Sequence, residues 1–208
     1  LSRLRNLLSL SQIEEVFMFN LEEWTTNSKI IIDSIIKKYQ GCKVIVRSSA
    51  LTEDGFDSTN AGAFTSVLDV DSDNSKSLKT AVEEVIKSYT TDNPRHQVLV
   101  QKMVSGVVAS GVVFTRNLTY GSPYRVINYE KSSNTDSITS GSSSKHKTLI
   151  IHRSETVPPA TDSHLLSPLL VAIEEIENLL GIDFLDIEFA ISQSNKIHIL
   201  QVRPITVL

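Results

Sequence analysis

The chain has 208 residues, 40% of them hydrophobic and 21% charged, with a formal net charge of −4. That length and composition suit one large globular domain or two small lobes, and the mild acidity excludes a general attraction to nucleic acid or anionic membrane. Bound phosphate must therefore meet a few placed cations. The single cysteine, Cys42, excludes an internal disulfide and a cysteine zinc cluster, and fits a reducing, cytoplasmic setting; no apolar run approaches the roughly 20 residues that span a bilayer.

The chain opens Leu-Ser-Arg-Leu-Arg, with neither an initiator methionine nor a signal-peptide block, and ends soon after Arg203-Pro204. It reads as a piece of a longer cytoplasmic polypeptide. A weak helical pattern covers residues 2–10. Ile31, Ile32, Ile35, Ile36 and Tyr39 recur at helical spacing and predict a helix from Thr26 to Gln40, stopped by Gly41. Val44-Ile45-Val46-Arg47 follows as a buried strand, and Ala63–Val70 as another. Leu78, Val82, Val85, Ile86 and Tyr89 form a second helical stripe over Ser75–Tyr89, behind a serine cap. Strand-like runs come next at Val98–Met103, Gly111–Phe114, Tyr124–Tyr129 and Thr148–Ile151. Between the last two lies Lys131–Lys147, with seven serines in seventeen residues, which reads as a connection between strands. A Ser-Pro start and the stripe Leu169, Ile173, Ile176, Leu180 before Gly181 predict a third helix over Ser167–Leu180. Two strands close the chain, Phe184–Ile191 and Lys196–Val202. Helices and strands do not alternate steadily, so the expected class is α+β with largely antiparallel sheets.

The last two strands carry the strongest chemical pattern. Leu185-Asp186-Ile187-Glu188-Phe189 and Ile199-Leu200-Gln201-Val202-Arg203 each alternate apolar and polar residues. A two-residue turn at Ser194-Asn195 would set Glu188 opposite Gln201 and Asp186 opposite Arg203. A carboxylate and an amide oxygen suit Mg²⁺, which takes few protein ligands, and an arginine fork suits phosphate. The same pattern also describes a hairpin with a polar, solvated side and an Asp–Arg surface pair. Arg47 ends an apolar strand beside two hydroxyls, as a group pointing into a cleft would. The segment from Ser58 to Ser66, which includes Gly62 and Thr65, is small and hydroxyl-rich, able to offer backbone N–H groups to an anion. Gln101, Met103 and Val104 follow an apolar strand that could edge an adenine slot or simply line a core. Neither a P-loop nor a dinucleotide-binding glycine fingerprint is present.

In this order, VRSSALTED, STNAGAFTSVL, VLVQKMV with SGVVFTRN, TDSITSG, and LDIEFA with ILQVRP resemble the nucleotide-binding domain of the phosphoenolpyruvate synthase and pyruvate phosphate dikinase family. The resemblance runs from about Lys43 to Thr206. It implies an ATP-grasp fold in two lobes, approximately 1–95 and 96–208, with ATP in the cleft between them. It implies that Glu188 and Gln201 coordinate Mg²⁺, and that Arg47 and Arg203 hold the transferring phosphates as the catalytic cations. Gly62, Thr65 and Ser66 fall on the phosphate-covering loop, and Gln101, Met103 and Val104 on the adenine edge. The implied partners are a swivelling domain with a phosphorylatable histidine and an acceptor domain for pyruvate or another small molecule. Relatives that phosphorylate glutamine or an antibiotic, or a non-catalytic nucleotide-binding module, are the alternatives. Three departures mark a divergent member. The family's phosphate-binding lysine has no match and would lie upstream of Leu1. Asp136 stands where the family has a glutamate after Gly-x-Gly. The interval from Glu188 to Gln201 is one residue longer than usual. Thr161-Asp162-Ser163-His164 lacks the glycines of the family's phosphoacceptor and is expected to be a helix cap.

Overall fold

The computed structural model describes residues 4–49, 65–89, 91, 93–131, 146–155 and 162–205. They form two compact units, one of residues 15–103 and one of residues 1–14 together with 104–208. The expected boundary near residue 95 falls just ahead of the last strand of the first unit.

The first unit is a four-stranded antiparallel sheet with two helices. Its elements are β1 (Val16–Asn20), α1 (Leu21–Tyr39), β2 (Lys43–Ser49), β3 (Ser66–Asp71), α2 (Ser75–Lys87) and β4 (Gln97–Lys102), with strand order β1-β4-β2-β3. Alternation decides the faces: Val44, Val46, Val98 and Val100 are fully buried, in one cluster with Ile31, Ile35, Leu78, Val82 and Val85 of the helices. Ile45, Arg47, Leu99 and Gln101, at the intervening positions, share the face without helices.

Helix α1 begins five residues ahead of the expected Thr26. Asn20 and Glu23 make a capping box, each side chain bonding the other's backbone N–H at 2.8 Å. Between that cap and the isoleucine stripe the helix kinks at Asn27, and only Trp24 is buried before the kink, so apolar periodicity starts late. Asn74, and not a serine, caps α2 by accepting from the N–H groups of Lys76 and Ser77. Strand β1 was not expected: five residues, only one of them buried, give too short a pattern to read.

The second unit is a five-stranded antiparallel sheet of order β7-β6-β5-β8-β9 under one helix. Its elements are β5 (Val107–Phe114), β6 (Tyr124–Glu130), β7 (Lys147–His152), α3 (Ser163–Leu180), β8 (Leu185–Ser192) and β9 (Ile197–Pro204). Leu166, Leu169, Ile173 and Ile176 of α3 pack on Val113, Ile127, Ile187, Phe189 and Ile199 of the sheet. Helix α3 starts four residues ahead of the expected Ser167, so Pro168 lies inside it and Ser163-His164 are its first residues; Gly181 ends it at φ 64. Residues 4–8 make a single hydrogen-bonded turn on Leu4 in place of the weak helix over 2–10. Further on, Gln12 joins the free edge of β9 through Gln12 N–H to Ile197 O and Ile199 N–H to Gln12 O, each 2.9 Å. Among the described residues no helix is long and apolar enough to cross a membrane.

Strand β5 approaches β6 closely at Gly111. A Cβ there would come within 2.8 Å of the Tyr129 Cα and clash with the Asn128 carbonyl, both backbone atoms that cannot swing aside. Gly111→Ala is expected to lower stability by about 1–3 kcal/mol or more, as overpacking of a fixed backbone does. Chemical denaturation measures it, and a wild-type midpoint would refute the reading.

Candidate functional site

The hairpin of β8 and β9 is built as the alternation requires. Leu185, Ile187 and Phe189 enter the core under α3, which turns Asp186 and Glu188 to the opposite, helix-free face. Glu188 lies opposite Gln201 and Asp186 opposite Arg203, the pairing expected from the sequence. The route to that register differs. The connection is the three residues Gln193-Ser194-Asn195, with Asn195 at φ 57, Asn195 N–H on Ser192 O and Ser192 N–H on Lys196 O. This turn alone would set Glu188 against Leu200. Leu200 instead bulges out of the ladder between the Phe189–Ile199 and Glu188–Gln201 pairs, and the bulge restores the polar pairing. The extra residue in the Glu188–Gln201 interval is absorbed there.

Arg203 Nη2 donates to Asp186 Oδ2 at 3.0 Å, and both side chains are largely buried. Asp186 Oδ1 is buried without a hydrogen-bond partner. Burial pushes the Asp186 carboxyl above its usual range and the charge of Glu188 adds to this, while Arg203 opposes both. Glu188, Gln201 and Asp186 thus supply oxygen donors alone, one of them an orphaned, desolvated carboxylate oxygen. Such a set fits a hard divalent cation whose remaining positions go to phosphate and water. Among the described residues no three His, Cys, Asp or Glu side chains are placed to hold a metal by themselves.

In the four-stranded unit, Arg47 pairs with Leu99 on β4 and with Ser66 on β3, so two of the expected phosphate residues are direct cross-strand neighbours. Thr65 immediately precedes β3 and is half-buried. Gln101 is buried on β4. Met103 follows it, its N–H on Lys43 O and its sulfur accepting from Asp69 N–H at 3.1 Å, while half-buried Val104 begins the other unit. In both units, then, the expected residues sit on or beside sheet faces without helices. Gly62 and Asp136 lie outside the described residues.

The support behind β8 comes from residues far apart in the sequence. Glu177 of α3 is buried between two guanidinium groups, with Oε2 2.8 Å from Arg125 Nη2 and Oε1 2.6 Å from Arg153 Nη1. Arg153 also donates to the carbonyls of Thr115 and Asp183. The Thr115 hydroxyl donates to Asp183 O and accepts from Leu185 N–H, both at 2.8 Å. Arg116 pairs with Asp183 and holds that carboxyl below its usual range. These bonds fix the residues just ahead of Asp186. One signal was available: Arg125 shares the core parity of Ile127 and Tyr129, where a charge requires a buried partner.

Two outcomes follow. Glu177→Ala strands the buried Arg125 and is expected to cost about 3–5 kcal/mol in chemical denaturation; a loss near that of a surface pair would contradict the network. A carboxyl whose pKa is raised by folding opposes folding once ionised, above its unfolded value, and the cost vanishes as pH falls below it. Asp186→Asn should therefore raise the melting temperature of metal-free protein at pH 7. The gain should shrink as pH drops through about 4, the unperturbed aspartate range. An Asn variant less stable at pH 7 would show that the Arg203 pair outweighs desolvation.

Comparison with known proteins supplies the setting. A family model described as the AMP/ATP-binding domain of pyruvate phosphate dikinase matches residues 22–135, over half of the chain. No individual curated protein matches the chain in sequence. Among solved structures, the VanG D-Ala:D-Ser ligase of Enterococcus faecalis superposes with a TM-score of 0.52 at 16% identity, covering 98% of this chain and 51% of that one. The macrocyclase MdnC of Microcystis aeruginosa MRC, solved with its precursor peptide MdnA, gives 0.51 at 8%, covering 98% and 50%. A Chryseobacterium gregarium RiPP-associated ATP-grasp ligase, in complex with ADP and a leader and core peptide, gives 0.48 at 12%, covering 97% and 49%. The chain spans about half the length of these proteins. On its matched residues and its two antiparallel sheets, the chain belongs to the family of pyruvate phosphate dikinase AMP/ATP-binding domains and has the α+β ATP-grasp fold.

Proposed function

We propose that this domain binds Mg-ATP and donates a phosphoryl or pyrophosphoryl group to a histidine on a separate swivelling domain, for onward transfer to pyruvate or another small acceptor. The observation that carries the reading is the register of β8 and β9, which sets Glu188 beside Gln201 and Asp186 beside Arg203 on one helix-free face. Glu188 and Gln201 would hold the cation. When bound, Mg²⁺ would neutralise charge on the phosphate oxygens it touches.

The residues of the chain then act by position and charge. Arg203, held by Asp186, offers its remaining N–H donors to phosphate oxygens, and Arg47, the cross-strand neighbour of Ser66, is assigned the same role. A phosphorus–oxygen bond of ATP breaks and a phosphorus–nitrogen bond to the imidazole forms. The charge left on the departing nucleotide oxygen is the charge the arginines stabilise. Nothing in this scheme asks the domain for a nucleophile, which fits a patch of carboxylates, an amide and guanidinium groups. Met103 and Val104, with Gln101, are assigned to the adenine.

Titration calorimetry of the chain with ATP and excess Mg²⁺ tests the reading. Glu188→Ala and Arg203→Ala should each weaken binding roughly ten-fold or more, the worth of a charge-assisted contact. Unchanged affinity in both would remove the hairpin from the site. Phosphorus NMR of this domain mixed with a histidine-bearing swivelling domain, ATP and candidate acceptors reads the transfer itself: AMP with free phosphate marks pyrophosphoryl transfer, and ADP marks phosphoryl transfer.

A further inference from the structure

One stretch of the family resemblance, Phe114-Thr115-Arg116-Asn117, supplies no side chain to the metal, phosphate or adenine assignments. It lies where β5 ends. The β5–β8 ladder pairs Phe114 with Asp186 and goes no further. Thr115, fully buried, extends it by one step with a side chain in place of a carbonyl. Its N–H donates to Leu185 O at 2.9 Å, and its hydroxyl accepts from Leu185 N–H at 2.8 Å. Both backbone groups of the residue before Asp186 are thus held by one threonine. The hydroxyl proton goes to Asp183 O at 2.8 Å. The Thr115 carbonyl accepts from Arg153 Nη1 at 3.2 Å, and the same nitrogen donates to buried Glu177 at 2.6 Å.

We propose that Thr115 and Arg153 are positioning residues for Arg203, an inference that rests on the phosphate role proposed for that arginine. Among the described residues, the Arg203 side chain has one hydrogen-bond partner, Asp186 at 3.0 Å. A guanidinium on a flexible stem is aimed only as well as the carboxylate that grips it, and that carboxylate is aimed by the backbone at Leu185 and Asp186. In an ordinary ladder a main-chain carbonyl, which every residue has, would hold the Leu185 N–H. Here a hydroxyl holds it and the carbonyl is left for Arg153, so the aim of Asp186 is tied to Glu177 of α3 as well as to the sheet. A side chain that accepts from one backbone group while donating to another at this position must be Thr or Ser; valine has the same shape and neither capacity. Thr115 shares the core parity of Val113 and is fully buried, so it reaches phosphate only through other residues.

The test is calorimetry with Mg-ATP on Thr115→Val, Thr115→Ser and Arg153→Lys, each alone and combined with Arg203→Ala. Thr115→Val should weaken binding about five-fold or more, and Thr115→Ser should stay within about two-fold of wild type. Combined with Arg203→Ala, Thr115→Val should weaken binding no further, because the aim of an absent guanidinium cannot be lost. A merely structural role would lower affinity equally with and without Arg203, and that result overturns the proposal, as does wild-type affinity in Thr115→Val. Arg153→Lys keeps a cation beside Glu177 but loses the fork that also reaches two carbonyls, so it carries the same comparison if Thr115→Val does not fold. If Arg203→Ala binds as wild type does, or wild type binds no Mg-ATP, the functional reading falls and the positioning role with it.

Discussion

Everything chemical in the five-stranded unit depends on counting residues around one turn. A strand has two faces, so a shift of one residue would move Gln201 and Arg203 under α3 and bring Leu200 and Val202 out beside Glu188 and Asp186. The turn closed by the Ser192–Lys196 pair holds three residues, and by itself it sets that wrong register. The bulge at Leu200 corrects it, and it sits one residue from Gln201, so the correction is made where the side chain must be aimed. Both strands then hold their apolar residues in the core, which makes the polar face as rigid as the packing behind it.

That rigidity is reinforced where β8 begins. Glu177 and Arg125 are removed from water and Arg153 largely so, and their bonds reach the carbonyls of Thr115 and Asp183 next to Leu185. A buried ionic group of this kind adds little net stability, but it permits few alternative arrangements. Asp186 follows directly from it. Its ionised carboxylate is penalised by burial and by Glu188, and the Arg203 guanidinium is the one charge that opposes both.

The sequence made legible what periodicity and pairing control. The isoleucine stripe of α1, the alternation of β2, β4, β8 and β9, and the Glu188–Gln201 and Asp186–Arg203 pairs could all be read from residue types. What escaped depends on the chain meeting itself at a distance. Strand β1 is defined by its pairing with β4, and the first turn of α1 lies beyond a kink that breaks the apolar stripe. The Leu200 bulge and the two-residue turn produce the same pairs from the same sequence, so spacing could not separate them.

The edge of β9 is closed by Gln12, 186 residues away along the chain. The five-stranded unit is therefore assembled from segments that precede and follow the four-stranded unit in the sequence. On the ribosome, residues 4–14 emerge well before β9 and lack its edge to join until β9 is in place. The four-stranded unit can form while the rest is being synthesised, whereas the unit with the polar face cannot close until synthesis has passed residue 204. Long-range closure of this kind is slow, and the N-terminal segment with its Leu4 and Ile13 stays exposed in the meantime.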